Sequence, residues 1–204
     1  MLYAFYKYEI SIYENYCYDF LDEITKIGHI IIITNADNDW VESTCKEYLP
    51  KIWPIISKIK IISAYDKYIK VINCPFKWKE FTFKDEIDLY IKNNSNDLKN
   101  IKNIISIGDA EYERSAVKSL SKYIEKFSLN CYIKSIKLSE NPKLELLMKQ
   151  MDTMTKNIRK ILNENESLDL LLGCKDNEFN KTINKNMIYN PDKLIAPMEI
   201  IINT

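Results

Sequence analysis

Glycine is scarce in this sequence: 3 residues among 204, at Gly28, Gly108 and Gly173. So few leave no material for a glycine-rich loop that wraps a nucleotide, and no Gly-x-Gly follows the first predicted strand. That weighs against a different α/β module, such as a methyltransferase-like fold that uses the glycine turn for a nucleotide. Histidine occurs once, as His29, so a His-based metal site is not expected. Ser-His-Asp or Cys-His chemistry would have to use that one residue, which stands at the start of a strand, the wrong edge for a site built on strand ends. The 5 cysteines, Cys17, Cys45, Cys74, Cys131 and Cys174, are odd in number and form no Cys-x-x-Cys, which argues against a disulfide scaffold or a zinc ribbon. No apolar run approaches the ~20 residues that a membrane span needs, and the N-terminus lacks a basic segment followed by a continuous apolar one. The expected location is cytoplasmic. Charge is balanced, with 29 basic and 29 acidic residues, so no surface-wide field draws nucleic acid or an anionic membrane. The 14 tyrosines fall on helical stripes and beside strands, where core packing accounts for them better than base stacking.

What is present is an alternation of short β-branched runs and helical stripes. A length of 204 residues at 46% hydrophobic content suits one domain with a substantial core. Strands are predicted over Ile30–Ile33, Ile59–Ala64, Asn103–Asp109, Cys131–Leu138 and Ser167–Gly173. Helices are predicted over Tyr13–Lys26, Asp39–Leu49, Trp78–Ile91, Glu111–Phe127 and Pro142–Leu162, with Gly28 in the C′ position of the first. Strand-helix alternation of this kind indicates an α/β protein: a three-layer Rossmann-like fold with a parallel sheet over residues 1–173. Residues 174–204 read as a C-terminal tail whose apolar end, 197–202, could dock on the body or mediate self-association with a second copy.

In a doubly wound sheet, ligands bind beyond the carboxyl ends of the strands. The polar residues there are Thr34 and Asn35, Ser63, and Asp109 after Gly108, with Glu113 one helical turn further on. Asp109 and Glu113 could hold Mg²⁺ through oxygen ligands. Equally, Asp109 could cap the following helix, with Glu111 and Glu113 favouring its N-terminal dipole.

The segments "HIIIITNADNDWVESTCKEYLP", "KIISA", "FKWKEFTF", "IISIGDAEYERSAV" and "IKSIKLSENPKLELLMKQM" resemble, in that order, haloacid-dehalogenase (HAD)-like proteins. More closely they resemble a protist and algal branch with TNA…WVE and GD…ERxA segments. The likeness covers roughly residues 12 to 172. It implies a Mg²⁺-dependent phosphatase acting on a small phosphorylated molecule through an aspartyl-phosphate. Thr34 would bind a phosphoryl oxygen with help from Asn35, and Lys79, or its neighbour Lys77, would stabilise the charge. Asp109 and Glu113 would be the metal ligands. Positive charge, hydrogen-bond donors and a metal around a trigonal phosphoryl group form a coherent set.

The family's nucleophile does not fit this frame. It is an Asp followed two positions later by an acid/base Asp, at the tip of a central first strand preceding the one that ends at Thr34. No Asp-x-Asp occurs in Met1–Ile33. A shifted frame makes Asp37 and Asp39 the pair and Ser63 the phosphate-binding hydroxyl. However, Asp37 stands beyond Thr34, Asn35 and Ala36 rather than directly after the strand, and helix capping explains it. The central slot is thus expected to be lacking or replaced. Either Leu2–Tyr6 fills it without an aspartate, or the sequence is an incomplete product of its gene. This chain is then an inactive HAD-like hydrolase domain, or alternatively a non-catalytic binding or scaffold protein.

Overall fold

The structure, a computed structural model, describes residues 2–94, 101–127, 131–172 and 198–203. In chain order these form α1 (Leu2–Thr25), β1 (His29–Thr34), α2 (Asn38–Tyr48), α3 (Trp53–Ile56), β2 (Lys60–Ser63), α4 (Ala64–Tyr68), α5 (Pro75–Asn93), β3 (Asn103–Gly108), α6 (Glu111–Ile124), β4 (Tyr132–Lys137), α7 (Leu144–Asn163), β5 (Leu168–Leu171) and β6 (Met198–Asn203). A 3₁₀ turn, Glu125–Phe127, extends α6.

One six-stranded sheet runs in the order β2-β1-β6-β3-β4-β5. The pairs β1/β2, β3/β4 and β4/β5 are parallel. Between β1 and β3 lies β6, antiparallel to both, with Met198 beside Ile33 and Glu199 beside Ile32 and Ile107. The fold is α/β as expected, yet the sheet is mixed rather than all-parallel.

The β-branched runs make strands because both of their faces are covered. In β1, Ile30 and Ile32 face a core shared with α1, α2, α3 and α7, while Ile31 and Ile33 face a second core shared with α4, α5 and α6. Two helical layers thus sandwich the sheet. Trp78, Phe83 and Ile87 bury one stripe of α5, and Met151, Met154, Ile158, Ile161 and Leu162 one stripe of α7, each at the spacing of a single helix face.

Two expectations are corrected. Leu2–Tyr6 is the first part of a 24-residue helix, so the slot between β1 and β3 belongs to β6 instead. Gly28 does not serve as a left-handed C′ residue: α1 ends at Thr25 in a turn closed by Lys26 N–H to Glu23 O and Ile27 N–H to Ile24 O, and no described glycine has positive φ. Of the expected tail, residues 174–197 lie outside the described residues.

Candidate functional site

The carboxyl ends of the parallel strands and the beginning of β6 meet at one edge of the sheet. At the end of β1, Thr34 is buried and its Oγ1 accepts from Ala36 N–H at 2.9 Å. From the end of β2, Ser63 Oγ donates to Ala36 O at 2.7 Å and accepts from Asp66 N–H at 2.9 Å, capping α4. These bonds fix the loop that carries Asn35. Both polar side-chain atoms of Asn35 are buried there without a hydrogen-bond partner.

The N-terminus of α2 is served from across the loop, for Asp66 Oδ2 accepts from Asn38 N–H at 2.8 Å. Asp37 holds the N-cap position but makes no side-chain cap bond, and both Asp37 and Asp39 are exposed. The alternative nucleophile pair therefore faces solvent.

At the end of β3, Lys79 from α5 and Glu113 from α6 form an ion pair with side chains 1% and 4% exposed. The second oxygen of Glu113 accepts from Ala110 N–H at 3.1 Å, tying the first turn of α6. Lys77, the neighbour that could have substituted, points outward and pairs with Glu80 at 2.6 Å. Asp109 is buried and its Oδ1 has no partner. Its carboxyl is pushed up to about 6, first by loss of water on burial and second by the Glu113 carboxylate, against the pull of its own backbone and of Lys79 and Lys137. Capping does not explain it, since the N-cap residue of α6 is Ala110.

The site edge thus consists of two groups. Lys79, Asp109 and Glu113 act on one another, whereas Thr34 and Asn35 stand on the far side of β6, two strand spacings or about 10 Å away. Sequence reasoning missed Lys137, whose Nζ donates to Asp109 O at 3.0 Å and pairs with Glu140 at 2.9 Å. The available signal was a lysine inside the apolar strand "CYIKSIKL". Arg114, from the GD…ERxA segment, fastens α6 to β5 through a bidentate pair with Asp169 at 2.8 and 2.7 Å.

The expected Mg²⁺ ligands do not fit a resident ion. That ion demands several oxygen ligands in near-octahedral array. Both oxygens of Glu113 are engaged, one by an ammonium group, which leaves Asp109 as a lone carboxylate. Among the described residues, no group of three or more His, Cys, Asp or Glu side chains is placed to hold a metal.

Comparison of the chain with protein families, with curated proteins and with solved structures gives no match. Among the described residues, no helix is long and apolar enough to cross a membrane.

Proposed function

We propose that the chain is a HAD-like phosphohydrolase domain that binds a small phosphorylated molecule at Thr34 and Asn35 without hydrolysing it. The observation that carries this reading is the Asn35 amide, buried and unpartnered beside Thr34 at the end of β1. An unmet buried amide costs about 1–3 kcal/mol, a cost that a bound oxyanion at its NH₂ group relieves. Lys79, committed to Glu113 on the far side of β6, is not counted among the phosphate donors.

The ordered motifs support the family reading, and the filling of the central slot supports the loss of catalysis. Where the family's nucleophile strand would end, β6 begins, with Met198 and Glu199 at the site edge rather than Asp-x-Asp. No resident Mg²⁺ is part of this reading.

The test has two arms on the full chain: ³¹P NMR titration with inorganic phosphate, and release of p-nitrophenol from its phosphate ester. Phosphate binding weakened roughly tenfold by Asn35→Ala, which corresponds to about 1.4 kcal/mol, with no release above the blank, is the expected result. Binding indifferent to both Asn35→Ala and Thr34→Val overturns the site. Release that disappears on Asp37→Asn overturns the non-catalytic reading and restores the Asp37 and Asp39 frame.

A further inference from the structure

We propose that a cavity between the sheet and helices α1, α2 and α7 binds an apolar primary amine, whose ammonium is received by the Asp109 carboxylate and the Gln150 side-chain carbonyl. The cavity has a volume of about 460 Å³, within the size range of small-molecule sites. It lies on the opposite face of the sheet from α5 and α6, which carry Lys79 and Glu113. Phe20, Leu21, Ile32, Val41, Ile52 and Met151 supply its apolar wall.

Polar groups break that wall near Asp109. Asp109 and Gln150 both line the cavity and are 7% and 2% exposed, yet Asp109 Oδ1 and Gln150 Oε1 have no hydrogen-bond partner. The orientation of the Gln150 amide follows from its neighbour. Its Nε2 donates at 3.3 Å to Leu172 O, a carbonyl that can only accept, so Oε1 is turned away from that bond. Leu172 O also accepts from Ser139 Oγ at 3.1 Å, and the adjacent Leu138 N–H donates to Gly108 O at 2.6 Å. This chain of contacts ties Gln150 to the end of β3 that carries Asp109.

The two unmet atoms are both acceptors, so a ligand that satisfies them brings at least two N–H or O–H bonds on its head group. Charge selects among such heads. Lys79 is paired with Glu113 and Lys137 with Glu140, so among the described residues no cation is in hydrogen-bond contact with the Asp109 side chain. An ammonium meets both conditions, with three donors and a positive charge. An anionic head would meet two acceptor oxygens and be repelled, so this site is chemically distinct from the phosphate edge at Thr34 and Asn35. Water could satisfy the two oxygens but not the surrounding apolar wall, and an apolar body displaces it favourably.

The experiment uses the full chain and three probes of similar shape: 2-phenylethylamine, 2-phenylethanol and phenylacetate. Binding is followed by ligand-observed saturation-transfer NMR and by thermal shift. The expected result is amine binding at least tenfold tighter than the alcohol, with no saturation of phenylacetate. Asp109→Asn should reduce the amine to the level of the alcohol, and Gln150→Met should weaken it severalfold. Three results overturn the proposal: equal binding of amine and acid, no binding of any probe, or an amine affinity unchanged in both variants. If Asp109→Asn does not fold, Gln150→Met alone decides, and an unchanged amine affinity in it is overturning. Because neither variant touches Thr34 or Asn35, loss of amine selectivity with phosphate binding intact separates a failure here from a failure of the phosphate reading.

Discussion

Replacing Asp109 by asparagine should make the protein more stable at neutral pH, although it alters a residue at the candidate site. Burial and the neighbouring Glu113 raise this carboxyl from the usual 3.8 to about 6 in the folded state. A raised carboxyl favours the fold while it is protonated, so its contribution is fully present below about pH 4 and is lost as pH rises through 6. From the ordinary value to about 6, the difference between the two limits is about 3 kcal/mol. Asparagine keeps the shape and stays neutral at every pH. The expected gain at pH 7.5 is therefore about 2–3 kcal/mol, or roughly 5–10 °C in Tm for a chain of this size, shrinking towards zero near pH 4. Urea unfolding followed by far-ultraviolet circular dichroism, for parent and variant at pH 4 and 7.5 and equal ionic strength, measures it. Titrating groups that do not act on Asp109 cancel in the difference. Glu80 is one of these: burial works against it, but bonds from Lys77, Lys84 and Ser119 hold it at about 2. A gain of the same size at both pH values, or a less stable variant at pH 7.5, refutes the reasoning.

Lys79→Met should cost about 3–5 kcal/mol, because it leaves the buried Glu113 carboxylate without its cation; the double variant with Glu113→Gln should recover most of that in urea unfolding, and a single-variant loss under about 1 kcal/mol would show that the pair is not buried in solution. Lys134→Met should cost about 3 kcal/mol, since the buried ammonium donates to the carbonyls of Ile161, Leu162 and Glu164 at 2.6, 3.1 and 2.7 Å and so caps the C-terminus of α7. Amide hydrogen exchange in the last turn of α7 should accelerate, and unchanged protection there would count against the cap. Ending the chain after Pro197 removes two ladders from the middle of the sheet and should leave the protein unfolded or aggregating; a melting temperature within about 2 °C of the parent would mean that β6 is not a central strand.

The first strand was legible because burial on two faces leaves no polar position between Ile30 and Ile33, and the pair Ile104–Ile105 marks β3 in the same way. Long helices were legible from their stripes. The start of α1 was not, because Tyr6, Tyr8, Ile10 and Ile12 alternate with Lys7, Glu9 and Ser11, a period-2 pattern suited to a strand, whereas the chain there forms a helix from Leu2 onwards. Nor was β6, since six apolar-rich residues do not announce which gap in a sheet they will enter. At the site, strand ends told where Thr34, Asn35 and Asp109 would lie. They could not tell that Glu113 would be taken by Lys79, 34 positions away, or that Asp66 would serve α2, 28 positions away. Such partners depend on how loops from different strands meet, which periodicity does not encode.

The direction of β6 also decides whether one substitution could rebuild a nucleophile. A pair of carboxylates two positions apart, at the tip of a parallel strand, places the first at the strand end and the second out in the loop, where both can face the same ligand. In β6 the chain runs the other way. If Met198 at the site edge became Asp, the residue two positions later would be Ile200, paired with Ile31 and Ser106 in the middle of the sheet. An acid/base group there cannot reach the edge, because two residues along a strand span about 7 Å. Met198→Asp should therefore release no p-nitrophenol above the parent, with or without Mg²⁺, and intact-protein mass spectrometry after incubation with the ester should show no added phosphoryl group. Turnover or a phosphorylated chain in this variant would show that the slot can work in either direction, and that the missing aspartate alone, rather than the reversed strand, accounts for the inactivity proposed for this chain.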